Sequence, residues 1–280
     1  MVILLALGSA VLYALAAVLQ FNAVNRVGQE WSLHVRFLAA LAHNRKFLAG
    51  GALELAGGVG QFFALKYGAV DTVLPILACG FPLSIAINYK WNDEAMPLME
   101  SVAIVVASAS VAGFLLVRPP GIGTSESYQA LAFGTVASMS VGLAAVSIAR
   151  PLLARFNVAK SVVGACLLGY VAVLERAVGV QWSRWGTAVV VTSWELYALL
   201  AVGGLALVVV QSSLQDRVFR SAIALVAVVE PISAVGFAAA IFNEPVFGSD
   251  HRLAAIFVSA AIVSLAYLAF RERSAGSRCG

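Results

Sequence analysis

The sequence predicts an all-α, polytopic helical membrane protein of about nine transmembrane helices in two inverted repeats. Three observations predict it. Of the 280 residues, 61% are hydrophobic and 11% charged, with a mean hydropathy of +0.92; a soluble domain is roughly 45–50% apolar and about 25% charged. The apolar residues gather into stretches near the ~20 residues a helix needs to cross a bilayer. Those stretches echo one another, in order, between the two halves of the chain.

Nine stretches qualify: 2–24, 47–66, 69–89, 98–117, 128–149, 159–178, 195–214, 221–242 and 253–270. The first lacks the basic n-region of a signal peptide and runs longer than an h-region, so it reads as a retained span. Residues 31–43, WSLHVRFLAALAH, are apolar but short, and they carry His34 and Arg36. They are expected to lie in the cytoplasmic interface; a tenth span, with the N-terminus inside, is the alternative. The remaining connections are short except 179–194, and no soluble domain fits anywhere. The expected division is a first transmembrane repeat at 1–120 and a second at 121–280.

Lysine and arginine orient the chain. With the N-terminus outside, the inner loops hold Arg26, Arg36, Arg45, Lys46, Lys90, Arg150, Arg155, Lys160, Arg217, Arg220, Arg271, Arg273 and Arg278, while the outer side keeps Lys66, Arg118, Arg176, Arg184 and Arg252. Thirteen against five puts the C-terminus in the cytoplasm, in a multi-pass protein of the cytoplasmic membrane. All five tryptophans (Trp31, Trp91, Trp182, Trp185, Trp194) fall in loops or at span ends, the depth that amphipathic rings prefer.

The repeat is weak but ordered. GGVGQFFALKYGAVDTVLPILACGFPLSIAINYKWNDE begins at Gly57, and LVVVQSSLQDRVFRSAIALVAVVEPISAVGFAAAIFNE begins at Leu207. Gln61 aligns with Gln211, Pro82 with Pro231 allowing one gap, and Glu94 with Glu244. Spans 2–4 and 7–9 then run in opposite senses. That is a common plan of secondary transporters, with the substrate near midplane at the repeat interface.

The series LQFNAV, GGVGQFFALKYG, VLPI and FPLS, ending in VEPISA and FNEPV, resembles the drug/metabolite transporter superfamily of EamA type. Within it, the series is most similar to the branch related to NIPA-type magnesium transporters. The resemblance covers most of the chain through glycines, prolines and a glutamate at span ends. It implies a helical transporter of two inverted halves in the cytoplasmic membrane, and it names no substrate.

Few ionisable groups fall inside the spans. A carboxylate at mid-bilayer costs about 2.5–3.5 kcal/mol on insertion scales, so such groups face a bundle interior or a cavity. Glu230 sits near the middle of 221–242. Pro231 follows it, removes a backbone donor and frees the carbonyl near Ala227. Glu54 shares a helical face with Gly57, Gly58 and Gln61, while Ala52, Ala56, Gly60 and Ala64 form a small-residue stripe for close helix approach. Asp71, Pro75, Cys79 and Pro82 lie along one face of the third span. The prolines are expected to break that helix, and Asp71 to complement a helix dipole. Tyr13 and Gln20 share a face of the first span with Ser9, and Gln211 and Gln215 stand one turn apart in the seventh. Glu175 and Arg176 are expected as a pair at the outer rim.

The ion- or substrate-binding set is therefore Glu230, Glu54, Gln61, Gln211, Tyr13 and Gln20, with Pro75, Pro82 and Pro231 as helix breaks. Metal occupancy is left open, and no cofactor is called for. Enzyme chemistry is not expected: HExxH, GxSxG and P-loop patterns are absent, and PPGIG at 119–123 lacks a following Lys-Ser/Thr. His34, His43 and His251 are not spaced as a metal set, and the three cysteines form no CxxC. A net charge of +4 without a basic cluster argues against nucleic acid. The expected partners are the lipid bilayer and a small-molecule or cation substrate, with a homodimer as an option. The expected function is secondary transport of a small metabolite or cation by alternating access; a NIPA-type Mg²⁺ transporter and a non-transporting scaffold are the alternatives.

Overall fold

The computed structural model describes residues 1–24, 41, 43–67, 73, 76–77, 79–92, 96–117, 127–147, 157–214, 219–242 and 251–276. Among them all regular structure is helical: α1 (Val2–Val24), α2 (Arg45–Tyr67), α3 (Gly80–Trp91), α4 (Leu98–Val117), α5 (Tyr128–Ser147), α6 (Asn157–Trp185), α7 (Thr187–Thr192), α8 (Trp194–Leu214), α9 (Phe219–Phe242) and α10 (His251–Gly276). Six of these are long and apolar enough to cross a membrane: α1, α2, α5, α6, α8 and α9. Shorter apolar helical stretches occur at Leu98–Phe114 and Arg252–Ser264. The outward faces carry bare apolar side chains, Leu4, Leu55 and Phe133 each being about three-quarters exposed. In water such a surface is a liability; against acyl chains it is matched. The protein is a helical membrane protein.

Local chemistry sets the helix ends. Asn44 caps α2, its Oδ1 accepting the backbone N–H of Lys46 at 2.9 Å and of Phe47 at 3.4 Å. Ser127 caps α5 through its Oγ, which accepts the N–H of Ala130, while its own N–H donates to the Ile241 carbonyl at the end of α9. Helix α6 overruns the expected span at 159–178 and absorbs much of the expected loop at 179–194. It stops at Gly186, whose φ of 80° suits a residue without Cβ. The six-residue α7 follows, and it was not expected.

The chain forms two compact units, residues 1–120 with 214–228 and 247–280, and residues 121–213 with 229–246. In the first unit α1 packs against α2 and α3, and α4 packs against α10, where Gly113 receives the Phe257 ring. In the second unit the core gathers Leu131, Leu167, Tyr170, Leu174, Val202, Val209 and Phe242. The fully buried Tyr170 donates its hydroxyl to the Leu131 carbonyl at 2.6 Å and meets Phe237 edge-on at 5.3 Å.

Candidate functional site

The α1–α2 pair carries two side-chain hydrogen bonds between helices. Gln20 Nε2 of α1 donates to Glu54 Oε2 of α2 at 2.5 Å. Tyr13 donates its hydroxyl to Gln61 Oε1 at 2.9 Å. Tyr13 and Gln20 are seven residues apart, as are Glu54 and Gln61, so both bonds form when two antiparallel helices lie side by side with a single register. Gln20 is buried, while Tyr13, Glu54 and Gln61 are half-buried. Four of the expected site residues thus come together as a two-rung ladder between apolar helices.

Glycines make the rungs fit. A Cβ on Gly50 would lie 2.8 Å from Gln20 Cγ, one on Gly57 would lie 3.1 Å from the Tyr13 ring, and one on Gly60 would lie 2.5 Å from Ser9 Oγ. The sequence separated a packing stripe, Ala52–Ala56–Gly60–Ala64, from a polar stripe. In the fold Ala52 and Ala56 are exposed, while Gly60 and Ala64 of the packing stripe and Gly57 of the polar stripe all meet α1. One face serves both purposes, because polar side chains can bond across only where the backbones approach closely.

Glu230 is half-buried in the second unit, and α9 runs unbroken through Pro231 from Phe219 to Phe242. Ser233 Oγ donates to the Glu230 carbonyl at 2.9 Å. The backbone here lies against α6: a Cβ on Gly169 would come within 2.8 Å of both the Glu230 carbonyl oxygen and the Ala234 nitrogen. Gln211 is buried in α8, 2% exposed. Pro82 stands in the first turn of α3, where its missing N–H removes no helical bond. Asp71, Pro75, Glu94, Gln215 and Glu244 lie outside the described residues, as do 31–40 and 42 of the expected interfacial segment. Arg176, expected beside Glu175, places its guanidinium over the Phe242 ring at 4.7 Å.

Among the described residues three acidic or basic side chains are buried where the sequence reading did not place them. Glu100, in the first turn of α4, accepts a hydrogen bond from the Tyr89 hydroxyl of α3. Lys160 in α6 is 4% exposed and Glu195 in α8 is fully buried. Each sits near a helix end, where the sequence signal is a charge in a terminal turn and reads as solvated. A cleft of about 490 Å³ opens in the second unit, lined by residues of α5, α6, α7 and α8 that include Glu195. Among the described residues no group of three His, Cys, Asp or Glu side chains is placed to hold a metal ion.

The chain matches no known family profile, no curated protein and no solved structure.

Proposed function

We propose that the chain is a secondary transporter of the drug/metabolite type, moving a small metabolite or cation across the cytoplasmic membrane by alternating access between two inverted halves. The observation that carries this reading is the ladder itself. A carboxyl group and two amides stand in an interface between two membrane helices where leucine would pack as well. Polar and ionisable groups at that depth are costly, and the usual reason to keep them is a substrate or ion path. Glu54 and Glu230 are the groups that bind the coupling proton or a cationic substrate. Pro231, by removing a backbone donor beside Glu230, leaves an acceptor for the same cargo.

The antiparallel pairing of α1 and α2 supports the nine-span count over the ten-span alternative. Gln20 pairs with Glu54 and Tyr13 with Gln61, so the C-terminal end of α1 and the N-terminal end of α2 lie at one end of the pair. A connection that leaves and returns on one side of the membrane fits nine spans with the N-terminus outside. Buried Leu41 supports this, packing with Val18, Phe21 and Val24 at that end of α1.

The test is transport by the purified full chain in proteoliposomes under a pH gradient, with proton movement read from an entrapped dye on adding Mg²⁺, spermidine or ethidium. Wild type is expected to move protons with one of these. Glu54→Gln and Glu230→Gln are expected to insert and fold while losing the coupled flux, and Glu230→Ala is expected to lose stability as well. Fluxes in both Gln variants equal to wild type mean that the two glutamates are packing contacts. No flux with any cargo leaves the scaffold reading standing.

A further inference from the structure

The cleft in the second unit presents an unusual set of open valences. Glu195, the second residue of α8, has no solvent exposure, and neither of its carboxylate oxygens has a hydrogen-bond partner. Gln181 Oε1, from α6, is likewise buried without a partner. Both residues line the cleft. Thr192 and Ser193 line it too, and both have committed their hydroxyl protons. Thr192 Oγ1 donates to the Val189 carbonyl at 3.0 Å, and Ser193 Oγ donates to the Val190 carbonyl at 2.8 Å. What these hydroxyls have left is lone pairs. Every buried polar atom left without a partner here is an acceptor, and two of the three belong to one carboxyl group.

A buried carboxylate with no donor is among the most unfavourable groups a fold can hold, and native structures satisfy such groups with protein, water or ligand. Helix α8 offers its positive N-terminal end, which moderates the charge and supplies no hydrogen bond to either oxygen. Arg184 also lines the cleft, yet it is exposed and makes no bond to Glu195. The rest of the lining is aromatic and aliphatic. Trp194 meets Tyr128 with ring centroids 6.1 Å apart, Trp185 adds a third ring, and Val180 and Val189 supply apolar surface. Aromatic faces attract cations. An anion is excluded by Glu195. A bare metal ion would need more carboxylate, imidazole or thiolate ligands than are placed here.

We propose that this cleft binds a small organic ammonium, a protonated primary amine with a short apolar tail. Glu195 is the counter-ion, Gln181 the second acceptor, and the ring cluster of Tyr128, Trp185 and Trp194 the wall for the charge and tail. A primary ammonium has three N–H donors, which match the three unpartnered oxygens of Glu195 and Gln181. None of these residues belongs to the ladder or to the Glu230 site, so the cleft can bind an amine whether or not the chain transports.

The experiment is titration calorimetry on the full chain in nanodiscs of zwitterionic lipid, with n-butylammonium as probe. Tetramethylammonium serves as an equally charged cation without N–H, and butanol as a control for partition into lipid. Saturable binding of n-butylammonium is expected, tighter than that of tetramethylammonium, with a change in the emission of the cleft tryptophans. Glu195→Gln is nearly isosteric, so it is expected to stay folded and to weaken binding by about tenfold or more, as loss of a charge-assisted hydrogen bond does. Gln181→Leu keeps the charge and is expected to weaken binding less. Arg184→Gln removes a like charge and is expected to bind at least as well as wild type. The proposal is overturned if wild type shows no saturable binding, if butanol binds as n-butylammonium does, or if Glu195→Gln retains wild-type affinity.

Discussion

The α1–α2 pair and the surroundings of α6 are both glycine-rich apolar interfaces, and they use glycine differently. In the first, Gly50, Gly57 and Gly60 make room for Gln20, Tyr13 and Ser9, and the space so opened holds two hydrogen bonds between helices. In the second, Gly134 receives the Tyr170 ring, Gly164 receives Val210, and Gly169 meets the α9 backbone at Glu230 and Ala234. Beside Gly134 the Tyr170 hydroxyl still bonds across to the Leu131 carbonyl, but at Gly169 the polar atoms are closed locally, Ser233 donating to the Glu230 carbonyl within one helix. The lesson is that a small-residue stripe does not reveal an interface's purpose. What enters the gap decides whether the contact is a rigid seam or a polar path.

The largest expected effect belongs to the seam. In Gly169→Ala the new Cβ would sit 2.8 Å from two backbone atoms that cannot rotate away. Overpacking of this kind costs about 1–3 kcal/mol, so a clear fall in the thermal unfolding midpoint in detergent is expected. In Gly57→Ala the obstacle is the Tyr13 ring at 3.1 Å, which can tilt, and a smaller fall is expected. A larger loss at Gly57 than at Gly169 breaks the distinction between the two interfaces.

Next is the lower rung of the ladder. Gln20→Leu removes the donor that Glu54 holds at 2.5 Å, and an unsatisfied buried acceptor costs about 1–3 kcal/mol. Changing Glu54 to Leu as well is expected to recover much of that loss, because two matched apolar side chains replace a broken pair. Unfolding midpoints of the two single variants and the double variant give the coupling directly. Additive losses show that the rung contributes no interaction energy.

Tyr13→Phe is expected to be the mildest. It deletes the 2.9 Å bond to Gln61 but keeps the ring against Gly57. Interhelical hydrogen bonds in membrane proteins average about 0.6 kcal/mol, so its unfolding midpoint is expected to fall less than that of Gln20→Leu. The reverse order places the weight of the ladder on its upper rung.

Much of this was legible in the residues. Pairing Glu54 with Gln61 on one face, and Tyr13 with Gln20 on another, needed only the helical period. The period says which side chains share a face. It is silent on which face of another helix they meet, and the register joining Gln20 to Glu54 is fixed by packing. For the same reason the small-residue stripe held only in part: Gly60 and Ala64 meet α1 while Ala52 and Ala56 are exposed, because spacing four marks a stripe and only a neighbour makes it a contact. At Glu195 a carboxylate in the first turn of a helix, next to Trp194, reads as a dipole partner in the head-group region.

The sequence by itself determined that the chain is helical and membrane-borne. Burial in lipid demands long apolar helices whose backbone bonds close internally, and that demand is written residue by residue. Charge asymmetry across the loops and the place of Pro231 and Glu230 in one helix are equally local. Tertiary structure alone decided which polar groups are satisfied. Glu54 finds Gln20 because α1 lies antiparallel against α2. Glu195 is left without a donor because α6, α7 and α8 fold around it while Arg184 stays exposed. A hydrogen bond depends on a few tenths of an ångström between segments distant in the chain, and no period or composition encodes that distance.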